Sequence, residues 1–463
     1  MTTRPLTIAC LLYLLLPCLL FLAGWVQPVV AWPAGIMLTA AVAWVAALCP
    51  ARQLKWQAGE AGRVLLLLLL GVLWVLTTGP FGVVEQSGDA TVRNAIYESL
   101  VRDSWPLTVA GNCFIYYLGF WLPPALAAKC GVPAEAALLG WSLLGVWLAL
   151  LAISCGKGSR HALVFLVILL LLGSLTGWAN RVCYKFATGS ALDLVQNWAL
   201  FLDLHYPPSC VQLRNTFNHY IAPLVLLSML AGKMIPTRFS AVGAAMVLIC
   251  SPLAAVALVP LLVLRAGRSL LNPPVVLAGL YAPLPLLYLL GGEAGVVAFM
   301  RPAGPCCLAE LSATQLWCRY ALQVISIAGP ACLFLWRWRR TSWFWCSIIL
   351  TMGLPLVWVG LWNNEFIYKG AAVIWFCLAW LYAYAWCHAR GRRKGLLALF
   401  FLFSASDTYG QVMGALKSFR THPEEMRLNL RDEWQGKLHQ EHDARARQFK
   451  GTPLLPGVFK FKD

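Results

Sequence analysis

Charged residues are scarce in this chain, and acids are scarcer than bases. Only 12% of the 463 residues are charged, 60% are hydrophobic, and the mean hydropathy is +0.69. Soluble domains carry about 25% charged and about 45–50% apolar residues. Such a chain has too little polar surface to face water, and apolar stretches of about 20 residues, enough to span a bilayer, recur along it. The sequence therefore predicts an integral membrane protein.

The cysteine spacings that are typical of metal and redox sites are also missing. None of the 16 cysteines forms a Cys-x-x-Cys pair, and most lie in apolar stretches, where a thiol behaves as a small hydrophobic side chain. The net charge of +17 comes from short basic clusters between apolar stretches and not from one continuous basic face. This pattern is typical of membrane topology. We therefore expect membrane lipid as a partner and no nucleic acid.

Basic clusters between spans mark cytoplasmic loops. The six clear clusters are Arg52/Lys55/Arg63, Lys157/Arg160, Lys233/Arg238, Arg265/Arg268, Arg337/Arg339/Arg340 and Arg390/Arg392/Arg393/Lys394. All six share one side if the spans lie near 6–26, 32–50, 63–79, 134–153, 162–179, 214–231, 239–250, 253–264, 273–292, 318–336, 341–361, 367–387 and 394–406. The sequence thus predicts an all-α, polytopic fold with about thirteen transmembrane helices in a bacterial inner membrane.

Two stretches decide this count. Phe114–Ala127 is short, contains Pro123-Pro124 and is rich in aromatic residues, so we expect it to lie in the outer interface without crossing. Ser251-Pro252 is expected to break the stretch 239–264 into a pair of short helices, because one long helix would place Arg265 and Arg268 outside. Residues 1–410 would then form the transmembrane domain, with the outer loop 80–133.

The tail 411–463 lacks an apolar run long enough to span the membrane. We expect it to be extracytoplasmic, as a small cap or a flexible extension, with Phe459 and Phe461 touching the bilayer. Cys183 and Cys210 both fall in an outer loop, where an oxidising compartment would allow a disulfide.

The loops rich in acids, amides and histidines all fall on the outer side. In the first of them, Asp89 is suited to cap a helix over Ala90–Arg102, and Arg93 follows one turn later on the same face. After Asp103-Ser-Trp105-Pro106 comes an amphipathic segment that begins with Tyr116-Tyr117 and ends at Lys129-Cys-Gly131.

At these residues the sequence resembles the GT-C superfamily of membrane glycosyltransferases, in particular the aminoarabinose-transferase and protein O-mannosyltransferase branches and uncharacterised bacterial members. Weaker similarities are Asn218-His219 and Asn364-Glu365-Phe366 followed by Lys369. The resemblance implies a GT-C-like fold and transfer of a sugar from a polyprenyl-phosphate donor to a lipid, glycan or protein of the cell envelope. It also implies that Asp89 acts as general base or helps to hold a metal. The presence of a divalent cation therefore stays an open question, and no other cofactor is expected.

This chemistry requires a carboxylate to deprotonate the acceptor and cations near the leaving phosphate. For the donor phosphate we predict Arg93, Lys369, Arg214 and Arg102, and for other substrate contacts Glu365, His219, Glu85, Asn94, Tyr116 and Tyr117.

Simpler interpretations exist for each of these residues. Asp89 is explained by a helix cap, His219 by an interfacial histidine, and the aromatic residues by a membrane anchor. Two other function classes also stay open: a transporter or flippase of a lipid-linked envelope precursor, and a non-catalytic membrane scaffold. A transporter would favour ionisable residues within the spans and an internal repeat, and the sequence shows neither.

Overall fold

The computed structural model describes residues 2–53, 59–78, 88–109, 112–175, 204, 206–292, 297–300, 312–360, 364–405, 408–409, 450–451 and 454–460. These parts of the chain are mainly helical. The helices are α1 (Arg4–Trp25), α2 (Pro28–Leu48), α3 (Glu60–Leu76), α4 (Gly88–Arg102), α5 (Leu122–Lys129), α6 (Ala134–Lys157), α7 (Ser159–Leu171), α8 (Ser209–Ala231), α9 (Ser240–Val247), α10 (Pro252–Ala266), α11 (Pro273–Tyr281), α12 (Pro283–Leu290), α13 (Ala313–Leu335), α14 (Ser342–Gly353), α15 (Glu365–His388) and α16 (Gly391–Ser404).

Five short strands and several 3-10 turns accompany the helices in the described parts of the chain. The strands are β1 (Thr108–Val109), β2 (Asn112–Phe114), β3 (Val297–Phe299), β4 (Val357–Val359) and β5 (Lys450–Gly451). An antiparallel sheet in the order β1-β2-β5 joins the first polar loop to the C-terminal segment, and β3 pairs with β4.

Seven helical segments are long and apolar enough to cross a membrane, counted over the described residues. They are Arg4–Trp25, Pro28–Leu48, Ala134–Lys157, Pro252–Leu270, Pro273–Leu290, Ala313–Trp338 and Glu365–His388. The chain is therefore a multi-pass membrane protein. Shorter apolar helices occur at Ser159–Leu171 and Ser342–Leu356, and the count of thirteen stays a prediction.

Helix α15 is the core of the molecule. In its apolar stretch 89% of the residues are buried, against 28% in α2. Its Trp375 Nε1 donates a hydrogen bond of 2.7 Å to the carbonyl oxygen of Pro207, beside the start of α8. Because this helix is enclosed by protein, a polar side chain near its end lies among other elements of the fold and not in lipid.

The predicted break of the stretch 239–264 at Ser251-Pro252 is confirmed, while a membrane crossing by each half stays a prediction. Ser251 has an extended backbone (φ −156°, ψ 79°) between α9 and α10, and Pro252 starts α10, where its missing N–H is tolerated. Asn272, which follows α10, donates a 2.8 Å hydrogen bond to the carbonyl oxygen of Arg238, which precedes α9. The start of α9 and the end of α10 therefore lie close together, so the two helices run in opposite directions.

Several basic clusters meet around the last turns of α15, which we call the basic end. Lys157 Nζ lies 5.4 Å from the ring centre of Tyr384, and Arg265 lies 4.8 Å from that of Trp343. The Trp343 ring is in turn 6.2 Å from Trp380 of α15. Basic residues that are far apart in the sequence thus share one end of the helices, as the charge pattern predicts for them.

The segment after β2 differs from the prediction of an interfacial anchor. A short 3-10 turn, Leu118–Trp121, leads into α5, whose eight residues extend about 12 Å and cannot cross a bilayer about 30 Å thick. Phe120 and Trp121 are fully buried against Phe217 of α8, with ring centres 5.5 and 6.1 Å apart. The anchor interpretation is therefore wrong for these two rings, because they pack inside the protein.

The last described residues, 454–460, form what we call the C-terminal strap. Gln27 donates from its backbone N to the oxygen of Val458 at 2.8 Å and from Nε2 to that of Phe459 at 3.0 Å. Phe459 is fully buried, 5.9 Å from the ring of Tyr288. The expectation that Phe459 touches the bilayer is wrong, because the strap packs between α1, α2 and α12; Phe461 lies outside the described residues.

The predicted disulfide is not tested. Cys183 lies outside the described residues. The sulfur of Cys210 lies 3.1 Å from the hydroxyl oxygen of Thr408.

Candidate functional site

Lys369 is a buried cation on the first turns of α15. Asn364 caps this helix: its Oδ1 accepts hydrogen bonds from the N–H groups of Phe366 (3.1 Å) and Ile367 (3.4 Å). The cap fixes the helix start, so Glu365 and Lys369 lie one turn apart and form an ion pair. The Lys369 side chain is only 4% exposed and that of Glu365 is 40% exposed, so the pair has one buried member and one open member.

Tyr117 is the second partner of Lys369. The ammonium group donates a 2.9 Å hydrogen bond to the tyrosine hydroxyl and lies 4.4 Å from the ring centre. Tyr288 of α12 holds this segment in place: its hydroxyl donates to the carbonyl oxygen of Phe114 at 2.7 Å and lies 3.4 Å from the backbone N of Tyr116. Nothing in the amino-acid pattern indicates this role for Tyr288, which lies in an ordinary apolar stretch.

His219 of α8 lies on the other side of Tyr117, with ring centres 4.5 Å apart in an edge-on arrangement. Asn218 and His219 are both fully buried. The amide atoms of Asn218 have no hydrogen-bond partner among the described residues, whereas the His219 ring lies against the backbone of Cys250. Buried polar groups left unsatisfied cost about 1–3 kcal/mol, so such groups mark a place where water or a ligand binds. The helix is interrupted just before them, at Thr216 (φ −141°, ψ 39°).

Arg93 brings α4 into the same cluster. Its side chain is buried, and together with Lys369 it acts electrostatically on both His219 and Tyr116. Burial raises the pKa of the Tyr116 hydroxyl and nearby Tyr117 adds to this, while Lys369 and Arg93 oppose it. Two cations therefore lie near the same aromatic group.

The position of α4 is fixed by Tyr97, whose hydroxyl donates a 2.7 Å hydrogen bond to the carbonyl oxygen of Ala134 at the start of α6. Asp89 belongs to the first turn of α4, one turn before Arg93, and the helix begins at Gly88, one residue earlier than Asp89. The Asp89 side chain and the whole of Glu85 lie outside the described residues. Asn94, next to Arg93 on α4, is partly buried.

The structure thus brings Arg93, Tyr116, Tyr117, His219, Glu365 and Lys369 together, and we call these six residues the Lys369 cluster. It does not place Arg102 among them. Arg102 forms a 2.5 Å ion pair with Glu98 and its side chain is 51% exposed, as in a surface pair. Arg214 is partly buried in the first half of α8, before the interruption at Thr216.

The described residues were also compared with the ligand sets that metal ions require. Among the described residues no group of three or more His, Cys, Asp or Glu side chains is arranged to hold a metal ion. The role of Asp89 as a metal contact therefore stays a prediction.

Comparison of the chain with protein-family models, with curated proteins and with solved structures gives no match. The cluster combines two buried cations, an open carboxylate, two tyrosines and a buried imidazole near one end of a membrane-embedded helix. Such a set is suited to bind an anionic group on a lipid, because lysine and arginine are the usual phosphate ligands.

Proposed function

We propose that the protein is a membrane glycosyltransferase that takes a sugar from a polyprenyl-phosphate donor and transfers it to a cell-envelope acceptor. The observation that carries the proposal is the convergence of Arg93 and Lys369 beside the Tyr116-Tyr117 pair, although the two cations are far apart in the sequence. Lys369 is buried and its ion-pair partner Glu365 is 40% exposed, so the side chains around the ammonium group are open on one side. Two cations that converge beside one aromatic pair suit a phosphate, because lysine and arginine are the usual phosphate ligands.

In the proposed reaction the acceptor hydroxyl oxygen forms a bond to the anomeric carbon of the sugar. The bond between that carbon and the phosphate oxygen breaks, and its electron pair stays on the lipid phosphate. Lys369 and Arg93 stabilise the charge that develops there, as preorganised cations do in a site with little water. Asp89, one turn before Arg93 on α4, takes the proton of the hydroxyl.

The remaining residues of the cluster have supporting roles in this proposal. Tyr117 holds the ammonium group of Lys369, and His219 and the open oxygen of Glu365 contact the sugar or the acceptor. The site would face the extracytoplasmic side, because the basic clusters lie at the opposite end of α15.

A flippase of a lipid-linked precursor is the second candidate, and one observation favours it. The interruption of α8 at Thr216, two residues before Asn218, is the kind of helix break that lines binding sites in transporters. In that case the cluster would bind the lipid phosphate without breaking a bond.

The test uses purified protein with polyprenyl-phosphate-linked mannose and aminoarabinose as donors and a lipid extract of the cell envelope as acceptor. We expect sugar transfer by the wild type, loss of transfer by at least 100-fold in Asp89→Asn, as general bases contribute about 10²–10⁴, and unchanged transfer in the matched control Glu98→Gln. Full transfer by Asp89→Asn contradicts the role of Asp89. Absence of transfer together with donor movement across a vesicle membrane favours the flippase.

A further inference from the structure

An apolar groove runs between α7 and α16 and is closed on one side by Trp386 of α15. Its volume is about 440 Å3, within the range of about 300–1,000 Å3 found for ligand pockets. Only hydrophobic residues line it, among them Val164, Val167, Ala398 and Phe401. Leu402, also on the wall, is 72% exposed, so the groove opens sideways to the surface that lipid covers.

Basic residues gather where the groove meets the basic end. Lys394 Nζ lies 5.0 Å from the ring centre of Trp386, which lines the groove. Arg160 and Lys394 both act electrostatically on the neighbouring Cys387. Cations therefore lie directly at the mouth of an apolar groove, as the headgroup and the chain of an anionic lipid require.

The charge at this mouth is not cancelled by nearby acids. In the described parts of the chain neither Arg160 nor Lys394 forms an ion pair. Glu60 is an acid on this side of the fold, and its Oε1 lies 3.5 Å from the hydroxyl of Ser159 at the start of α7. One carboxylate there faces at least two basic side chains, so the mouth favours an anion.

We propose that this groove binds one anionic diacyl phospholipid, with an acyl chain against α7 and α16 and its phosphate at Arg160 and Lys394. A tryptophan at the boundary between chain and headgroup fits such a site, because indole rings prefer that depth. The site is distinct from the Lys369 cluster: Trp386 and Lys369 are 17 residues apart on α15, about 25 Å along a helix. It therefore does not depend on the proposed glycosyltransferase activity.

The charge half of the site is tested by native mass spectrometry of the full-length protein in detergent, titrated with phosphatidylglycerol or phosphatidylcholine. We expect tight binding of one phosphatidylglycerol and weaker binding of phosphatidylcholine. The double variant Arg160→Gln/Lys394→Gln should lower the phosphatidylglycerol affinity about 30-fold, from about fivefold for each basic residue near a membrane surface. The matched control Arg52→Gln/Arg268→Gln removes the same charge from exposed residues away from the groove and should leave the affinity within about twofold.

The groove half is tested by Ala398→Phe, which fills the groove from its exposed wall, with Leu399→Phe on the same helix but off the groove as its control. We expect only Ala398→Phe to lose the bound phospholipid. Equal binding of phosphatidylcholine, equal losses in the control variants, or retention of lipid by Ala398→Phe would overturn the proposal. So would a two-chain assembly that Ala398→Phe dissociates, because a second copy would then cover the groove.

Discussion

Lys369 and Tyr117, 252 residues apart in the chain, meet in a 2.9 Å hydrogen bond from the ammonium group to the phenol oxygen. The same ammonium group lies 4.4 Å from the centre of the ring and forms an ion pair with Glu365. The contact joins the central helix α15 to the polar loop that follows α4. Tyr117 also contacts His219 of α8, so three segments that are far apart in the sequence meet around Lys369.

Removing only the hydroxyl of Tyr117 tests this contact. Tyr117→Phe keeps the ring and its attraction for the cation but removes the acceptor of the hydrogen bond. A hydrogen bond to a charged group contributes about 1.5–3 kcal/mol, so kcat/KM for sugar transfer should fall roughly 10- to 100-fold. Tyr320→Phe is the matched control, because the Tyr320 hydroxyl donates to the carbonyl oxygen of Met352, away from the Lys369 cluster. Equal activity of the two variants would exclude a role for the Tyr117 hydroxyl.

Neutralising Glu365 should have the opposite effect on the binding of an anion. In Glu365→Gln the charge of Lys369 loses the carboxylate that it pairs with, so the affinity for polyprenyl phosphate without a sugar should rise several-fold. The free energy of unfolding should fall by about 1 kcal/mol, and not by the 3–5 kcal/mol of a fully buried pair, because Glu365 is 40% exposed. Equilibrium binding and chemical unfolding in detergent measure the two effects. A loss of affinity would show that Glu365 itself contacts the phosphate-bearing ligand.

The C-terminal strap should stabilise the fold through Phe459. Phe459→Ala removes a buried ring that packs against Tyr288, and such truncations cost about 3–5 kcal/mol. Because Tyr288 also holds the segment before Tyr117, sugar transfer should fall at temperatures where the variant is still folded. Leu455→Ala, in the same strap but 49% exposed, is the control and should change stability by less than about 0.5 kcal/mol. Equal stability of the two variants would mean that the strap is not part of the folded core.

The crossing of α6 and α8 should depend on two glycines. A β-carbon at Gly156 would overlap the backbone of Gly232, whereas one at Gly140 on the same helix meets nothing within 4 Å. Gly156→Ala should therefore separate the helices and lower the melting temperature, as at other close helix contacts in membranes. Gly140→Ala should leave it unchanged or raise it slightly, because alanine favours a helix. The prediction fails if both variants melt at the same temperature.

The sequence predicts well what depends on local composition. Low charge and apolar stretches indicate the multi-pass helical class, and Pro252 indicates the break between α9 and α10, because a proline N–H is missing wherever the residue stands. The short helix α4 follows from the polar pattern after Gly88 in the same way, although it begins two residues earlier than predicted, at Gly88 and not at Ala90.

Contacts between residues that are distant in the sequence could not be predicted from it. Nothing near Phe120 or Trp121 distinguishes a ring in the lipid interface from a ring buried under α8, because both environments favour aromatic residues. The roles of Tyr288 and Phe459 depend on pairings across more than 170 residues that leave no periodic signal. The candidate residues were selected by residue type and a family resemblance, but their meeting around Lys369 required the fold.

The central claim is that the Lys369 cluster binds a lipid-linked phosphate. The most direct test is equilibrium binding of polyprenyl phosphate to purified Lys369→Gln, beside Lys129→Gln as a control. Lys129 is exposed, donates to the carbonyl oxygen of Asp103 and lies 5.7 Å from the ring centre of Trp105, so its substitution removes the same charge outside the cluster. We expect the affinity to fall about 10- to 100-fold in Lys369→Gln and to stay within about twofold in Lys129→Gln. Unchanged affinity in Lys369→Gln, in a protein that is still folded, would contradict the claim.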